Sequence, residues 1–220
     1  MTRDKQFAVL GLGSFGMSLA YTLSKNGFDV LAADNNPDKV QAASEFVTHA
    51  VIADAGDESA LRALGIGNFD YVIVTVGDSL ETAVMATLVA KDAGAKHVVV
   101  KAKDETQRKI LEKIGADRVV FPDREMGERI ANSLIYGDFY EFMELSNDLG
   151  IAEFEVPVEW KGHTLSQLAV RAKYGINLIA IKRNNNIDAT LTADTMFEEN
   201  DVIVAMGETK KIQKFLDKIS

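Results

Sequence analysis

Cysteine is absent from this chain of 220 residues. Disulfides, thiolate nucleophiles and thiolate metal sites are therefore excluded, and a reducing compartment fits. Also missing is any run approaching the ~20 apolar residues that cross a bilayer. The start, MTRDKQFAVLGLG, reads as no signal peptide, because its short apolar run passes straight into a glycine motif. Such a chain works at a membrane only through a partner. Positive charge is in deficit as well: 24 Lys and Arg stand against 33 Asp and Glu, a formal net charge of -9. That surface offers nothing to attract nucleic acid or anionic lipid.

What is present belongs to an ordinary globular protein, with 47% hydrophobic and 26% charged residues. The length suits one medium domain and one small one. Over residues 1–121, short β-rich runs alternate with helical patterns: strands at 6–10, 28–33, 49–53, 71–76, 98–101 and 118–121, helices near 14–26, 37–45, 57–64, 80–93 and 105–114. This is the grammar of βαβ crossovers, and right-handed crossovers make it an α/β, Rossmann-like, doubly wound parallel sheet. Gly27, Gly65, Gly94 and Gly115 each follow a predicted helix, where a left-handed C-cap favours glycine.

Residues 122–149 read as a connector, with one helix to about 136 and a second short helical piece at 139–143. Its Ile130, Leu134, Ile135 and Phe139 recur at helical spacing and call for a partner subunit to bury them. Residues 150–220 form a small β-α-β-β-α module: strand 154–158, helix 164–172, strand 178–182, a turn at Asn184-Asn185-Asn186, strand 201–206 and helix 209–219. At about 70 residues its core is small enough to make dimerisation an expectation.

The sharpest motif is Gly11-Leu12-Gly13-Ser14-Phe15-Gly16, between a predicted strand and a predicted helix. Gly11 allows a tight turn, Gly13 lets backbone approach a pyrophosphate, and Gly16 permits close helix–strand packing. The helix N-terminus then presents N–H groups to phosphate. Asp34, ending the second strand, is placed to accept from ribose hydroxyls and to repel a 2′-phosphate, so NADP is disfavoured. Asp54 follows the third strand and Val76-Gly77-Asp78 the fourth, at the carboxyl edge of the sheet. Asp54 suits either the adenine amino group or a helix N-terminus. Lys101, ending the fifth strand, suits either phosphate or solvent. His49 and His97 start strands and His163 lies in a turn; none pairs with an acid at catalytic spacing. The chain binds a nucleotide without a group to transform it.

Phe7-Ala8-Val9-Leu10-Gly11-Leu12-Gly13-Ser14-Phe15-Gly16, Tyr71-Val72-Ile73-Val74, Lys113-Ile114-Gly115-Ala116-Asp117 and Arg171-Ala172-Lys173-Tyr174-Gly175-Ile176 carry a resemblance over nearly the whole chain. It resembles the RCK (regulator of K⁺ conductance) family, in particular the KtrA/TrkA-type cytosolic subunits of bacterial potassium uptake systems. The resemblance implies a non-enzymatic, cytoplasmic regulatory subunit. It assembles as dimers into an octameric ring and docks on a membrane-embedded potassium-translocating subunit at the inner face of the cell membrane. It also implies ATP, ADP or NAD on the N-terminal domain and cyclic di-AMP on the C-terminal one. The positions carried over are the 11–16 loop, Asp34, Asn36, Asp54, Lys101 and Asp123 for the nucleotide, with Mg²⁺ or another cation at Asp123. For cyclic di-AMP they are Arg171, Ile176 and Asn177. Ser14 departs from the arginine common in the family, and Asp123 from its glutamate. The competing readings are a small NAD-dependent oxidoreductase and a binding protein acting on another target.

Overall fold

A computed structural model describes residues 5–76, 79–136, 141–146, 148–184 and 186–219. The chain divides into two compact units, Met1–Arg124 and Glu125–Ser220.

In the first unit the order is β1 (Gln6–Leu10), α1 (Ser14–Lys25), β2 (Asp29–Asp34), α2 (Pro37–Ser44), β3 (His49–Ile52), α3 (Glu58–Ala63), β4 (Tyr71–Val74), α4 (Leu80–Asp92), β5 (His97–Lys101), α5 (Glu105–Lys113) and β6 (Arg118–Val120). The strands pair in parallel in the order β3-β2-β1-β4-β5-β6, the doubly wound arrangement whose direction of winding reverses between β1 and β4. Alternate residues of each strand enter opposite cores. Ala8, Leu10, Val72 and Val74 pack with Leu61 of α3, Ala86 and Val89 of α4 and Leu111 of α5. Val9, Val30 and Ile73 pack with Ala20 of α1 and Val40 and Ala43 of α2. Strands buried on both faces must read as continuous apolar runs, which is why they stood out in the sequence. Gly27, Gly65, Gly94 and Gly115 all hold positive φ, between 67° and 107°. Those four helix ends bear out the C-cap reading.

α6 (Pro122–Tyr136) leads into the second unit, which adds β7 (Glu141–Ser146), β8 (Leu149–Glu155), α7 (Leu165–Leu168), α8 (Val170–Tyr174), β9 (Ile176–Arg183), β10 (Asn186–Asp188), β11 (Val202–Glu208) and α9 (Thr209–Ile219). Its sheet runs β10-β9-β11-β8-β7, all antiparallel. Ile212, Phe215 and Leu216 of α9 pack with Phe154, Trp160, Phe197 and Ile203 in the core. Trp160 sits within 5.7 Å of the Phe197 and Phe215 rings, centroid to centroid.

Two expectations change here. The helical piece at 139–143 is not a helix where it is described: residues 137–140 lie outside the described residues, and Glu141–Ser146 is a strand paired with β8. The side chain of Ile135 and all of Phe139 also lie outside them. The helix expected at 164–172 is two short pieces, broken at Ala169 with φ 47°. The small module is thus a five-stranded sheet that takes its edge strand from the connector.

Candidate nucleotide-binding site

The glycine loop is tied to the sheet. Gly11 N–H donates to Ala33 O at 2.7 Å, and the buried Thr75 hydroxyl donates to Gly11 O at 2.5 Å. Gly11 holds φ +99°, and a Cβ there would lie 3.0 Å from the Val76 backbone. At Gly16 a Cβ would fall 2.0 Å from Gly11 O, so only glycine lets α1 approach the loop. Gly13 is the opposite case: a Cβ would meet nothing within 4 Å. The loop therefore leaves open space directly above its middle glycine, where a phosphate would sit. α2, α3, α4 and α5 are N-capped by the side chains of Asn36, Asp57, Ser79 and Asp104. α1 has no side-chain cap and no acid in its first turn, so among the described residues no side chain takes its N-terminal donors.

Asp34, 8% exposed, closes the other side. Oδ2 accepts from Leu12 N–H at 2.6 Å and from Lys39 Nζ at 3.4 Å, and Oδ1 accepts from Asn36 N–H at 2.9 Å. Burial alone would raise its pKa. The two backbone donors and the Lys39 charge outweigh burial and hold it below the ordinary carboxylate value, so Asp34 is ionised at neutral pH. A cleft of about 280 Å³ at the carboxyl ends of β1, β2 and β4 brings Gly11, Gly13, Asp34 and Asp54 together with Lys39 and Thr75. Ser79 and Thr82 complete its far wall. Lys39, Thr75, Ser79 and Thr82 escaped the sequence reading, because a lone lysine or hydroxyl between strands carries no local pattern. Gly77 and Asp78 lie outside the described residues.

The remaining candidates are placed as follows. Ser14 is exposed and Phe15 half-buried in the first turn of α1, while Leu12 is buried and supplies the N–H to Asp34. The Asn36 side chain accepts from Asp38 N–H at 2.8 Å, capping α2. Asp54 accepts from Gly56 N–H at 2.8 Å, within the cleft wall. Lys101 and Asp123 pair with each other at 2.7 Å, and neither lines the cleft. Among the described residues no group of three His, Cys, Asp or Glu could hold a metal ion, and Asp123 is one carboxylate already facing an ammonium. These residues do not by themselves fit a cation. The His97 ring stacks on Tyr71 at 4.6 Å, while His49 and His163 are exposed.

In the second unit a cavity of about 630 Å³ is walled by Leu165, Ala169, Arg171, Ile176, Asn177 and Leu178, among others. The left-handed Ala169 and Gly175 bracket α8, and Arg171 and Asn177 both line the cavity. Arg171 is exposed, and Ile176 is fully buried in the core that backs the cavity.

Residues 7–122 match the TrkA-N domain and residues 151–220 the TrkA-C domain. The Ktr system potassium uptake protein A of Bacillus subtilis (strain 168) is 40% identical over 213 residues, 97% of this chain and 96% of that one. Protein C of the same system and organism is 39% identical over 211 residues, 96% of each chain. Among solved structures the GsuK channel has a TM-score of 0.68 at 18% identity, over all of this chain, which spans 40% of the channel's length. The GsuK channel bound to NAD aligns with a TM-score of 0.56 at 22% identity, over 99% of this chain and 39% of that one. At those identities the channels establish the fold. The two Ktr proteins match nearly the full length of the chain, both domains included, and the chain belongs to their family, the TrkA-N/TrkA-C proteins of potassium uptake, and not to an enzyme family.

Proposed function

We propose that this chain is a nucleotide-sensing regulatory subunit of a bacterial potassium uptake system. It would sit at the inner face of the membrane against a potassium-translocating partner and gate it. One observation carries the reading: the cleft offers an open phosphate seat at Gly13, uncapped α1 donors and an ionised Asp34, and among the described residues no histidine lines it. Nucleotide acts on such a subunit by its unequal affinity for two ring states. ATP and ADP are the leading ligands, with NAD sharing the same adenosine diphosphate moiety. Ser14 supplies no charge for a third phosphate, and Lys101 is engaged by Asp123. A cation would arrive with the nucleotide's own phosphates and reach Asp123 only by displacing Lys101. Calorimetry should therefore find ATP and ADP within about tenfold of each other. Ser14→Arg should favour ATP by roughly tenfold or more, the worth of one charge-assisted hydrogen bond. No adenine nucleotide bound at millimolar concentration would sink the reading.

Assembly above the monomer is supported by α6, where Met126, Ile130 and Leu134 are exposed at intervals of four residues, and by the edge strand β7, with Met143 and Leu145 exposed. An octameric ring is the assembly we infer. Cyclic di-AMP, itself two-fold symmetric, fits a site shared by two C-terminal cavities, with Arg171 and Asn177 of each copy on equivalent phosphates and sugars. Among the described residues Arg171 makes no ion pair that would hold it elsewhere. Ile176 would back the cavity from the core in place of stacking on the base. The full chain should bind one cyclic di-AMP per two subunits, with at least a roughly tenfold loss in Arg171→Ala. A monomer by light scattering at micromolar concentration would overturn both the assembly and the shared site.

A further inference from the structure

The carboxylate of Asp34 is nearly saturated before any ligand arrives. Leu12 N–H at 2.6 Å, Asn36 N–H at 2.9 Å and Lys39 Nζ at 3.4 Å occupy three of its sites. An ionised carboxylate has about four lone-pair sites, so roughly one remains. A ribose brings two neighbouring hydroxyls, each able to donate and to accept. Lys39 is the group that can meet the surplus. An ammonium has three donors, and among the described residues Asp34 is its one side-chain partner, at the long end of hydrogen-bond range.

Its position is set by the backbone. Lys39 lies in the first turn of α2, where Asn36 Oδ1 accepts from Asp38 N–H at 2.8 Å and Lys39 N–H at 3.4 Å, and Pro37 opens the helix. The side chain leaves that capped turn alongside Asp34 and lines the cleft, 43% exposed and so with room to shift toward a ligand.

We propose that Lys39 is the specificity-determining partner of Asp34, its ammonium and the Asp34 carboxylate together holding the vicinal hydroxyls of a nucleotide's ribose. One hydroxyl donates to Asp34 and accepts from Lys39 Nζ. The ligand class so selected is a ribonucleotide with free 2′ and 3′ hydroxyls. A 2′-deoxyribonucleotide forgoes both hydrogen bonds and leaves Lys39 and Asp34 only their 3.4 Å contact with each other, so the site discriminates against the missing hydroxyl. The inference rests on the nucleotide reading above.

Calorimetry of the full chain with ADP and with 2′-deoxy-ADP tests it. Wild type should prefer ADP by roughly tenfold or more. Lys39→Met should cut the ratio by roughly threefold or more, chiefly by weakening ADP, with the thermal midpoint held near wild type and the remainder owed to Asp34. Lys39→Arg, which keeps a charged donor, should retain a preference. Lys39→Gln, a neutral donor of shorter reach, should lose most of it and stands in for Lys39→Met should that variant not fold. An ADP-to-deoxy-ADP ratio equal in wild type, Lys39→Met and Lys39→Gln overturns the role of Lys39 and leaves the nucleotide reading intact. Absence of ADP binding to wild type overturns both.

Discussion

Gly13→Val should abolish nucleotide binding and leave the chain folded. The backbone at Gly13 has φ −69° and ψ −179°, extended geometry that any residue adopts, and a Cβ there meets nothing within 4 Å. In the free protein the change costs about 1 kcal/mol at most, from replacing glycine by a poor N-cap residue. With nucleotide present, the branched side chain fills the space between the loop and the first turn of α1 that a pyrophosphate requires. Affinity should fall by at least roughly 100-fold, about 2.7 kcal/mol or more. Gly16→Ala makes the contrasting control. Its Cβ would lie 2.0 Å from Gly11 O and 2.6 Å from Thr75 Oγ1, so both stability and binding should fall. Calorimetry paired with thermal unfolding separates the cases. Wild-type affinity in Gly13→Val would remove the phosphate from this loop.

The largest stability change should follow Arg183→Ala. Asp201 is fully buried, and Arg183 grips it with Nε to Oδ1 at 2.7 Å and an Nη to Oδ2 at 2.8 Å, while Glu198 N–H donates to Oδ2 at 2.7 Å. Arg183 also donates to Glu198 at 2.6 Å and to Met196 O at 3.1 Å, knitting β9 to the segment before β11. Removing the arginine leaves a buried carboxylate with one backbone donor. Breaking a buried pair in this way costs about 3–5 kcal/mol, and the lower end applies because the Arg183 side chain is 37% exposed. Asp201→Asn should cost less, since the freed guanidinium can reach water and the amide oxygen can still accept from Glu198 N–H.

The pH dependence carries the sign. Burial raises the Asp201 pKa, but the Arg183 bonds and the Glu198 N–H outweigh it, and the net shift is downward. In wild type its contribution is therefore complete above the unfolded value, about 3.9, and is lost as pH falls through the lower folded value. Without Arg183 the burial remains and the pairing does not, so the folded pKa should move above the unfolded one. The variant then recovers relative to wild type as pH drops from about 7 toward about 4. The one tryptophan of the chain, Trp160, lies in the core of this unit, so its fluorescence reports this unfolding rather than that of the nucleotide domain. A destabilisation under about 1 kcal/mol, or one independent of pH, would show that Arg183 is a surface ornament.

The sequence by itself determined the nucleotide domain almost to the residue. Strands buried on both faces must be continuously apolar, helices repeat every three or four residues, and a left-handed C-cap favours glycine, so Gln6–Leu10, Leu80–Asp92 and Gly94 declare themselves locally. The roles of Gly11 and Gly16 were legible for the same reason, as backbone requirements of adjacent residues. Only the tertiary structure decided the rest. Glu141–Ser146 is a strand because it pairs with β8, Met143 opposite Ile151, a pairing that short-range periodicity cannot see. Ala169 breaks a helix at a φ that alanine rarely adopts, and no sequence signal announces it. Lys101 turns to Asp123 instead of into the cleft, and Arg183 finds Asp201 beyond β10 and a loop. Lys39, Thr75, Ser79 and Thr82 join Asp34 and Asp54 only when β1, β2 and β4 lie side by side. Where neighbours in the chain set the backbone it can be read locally, whereas an edge strand's pairing and the partners of a charge or hydroxyl are set by what the fold brings within about 3 Å.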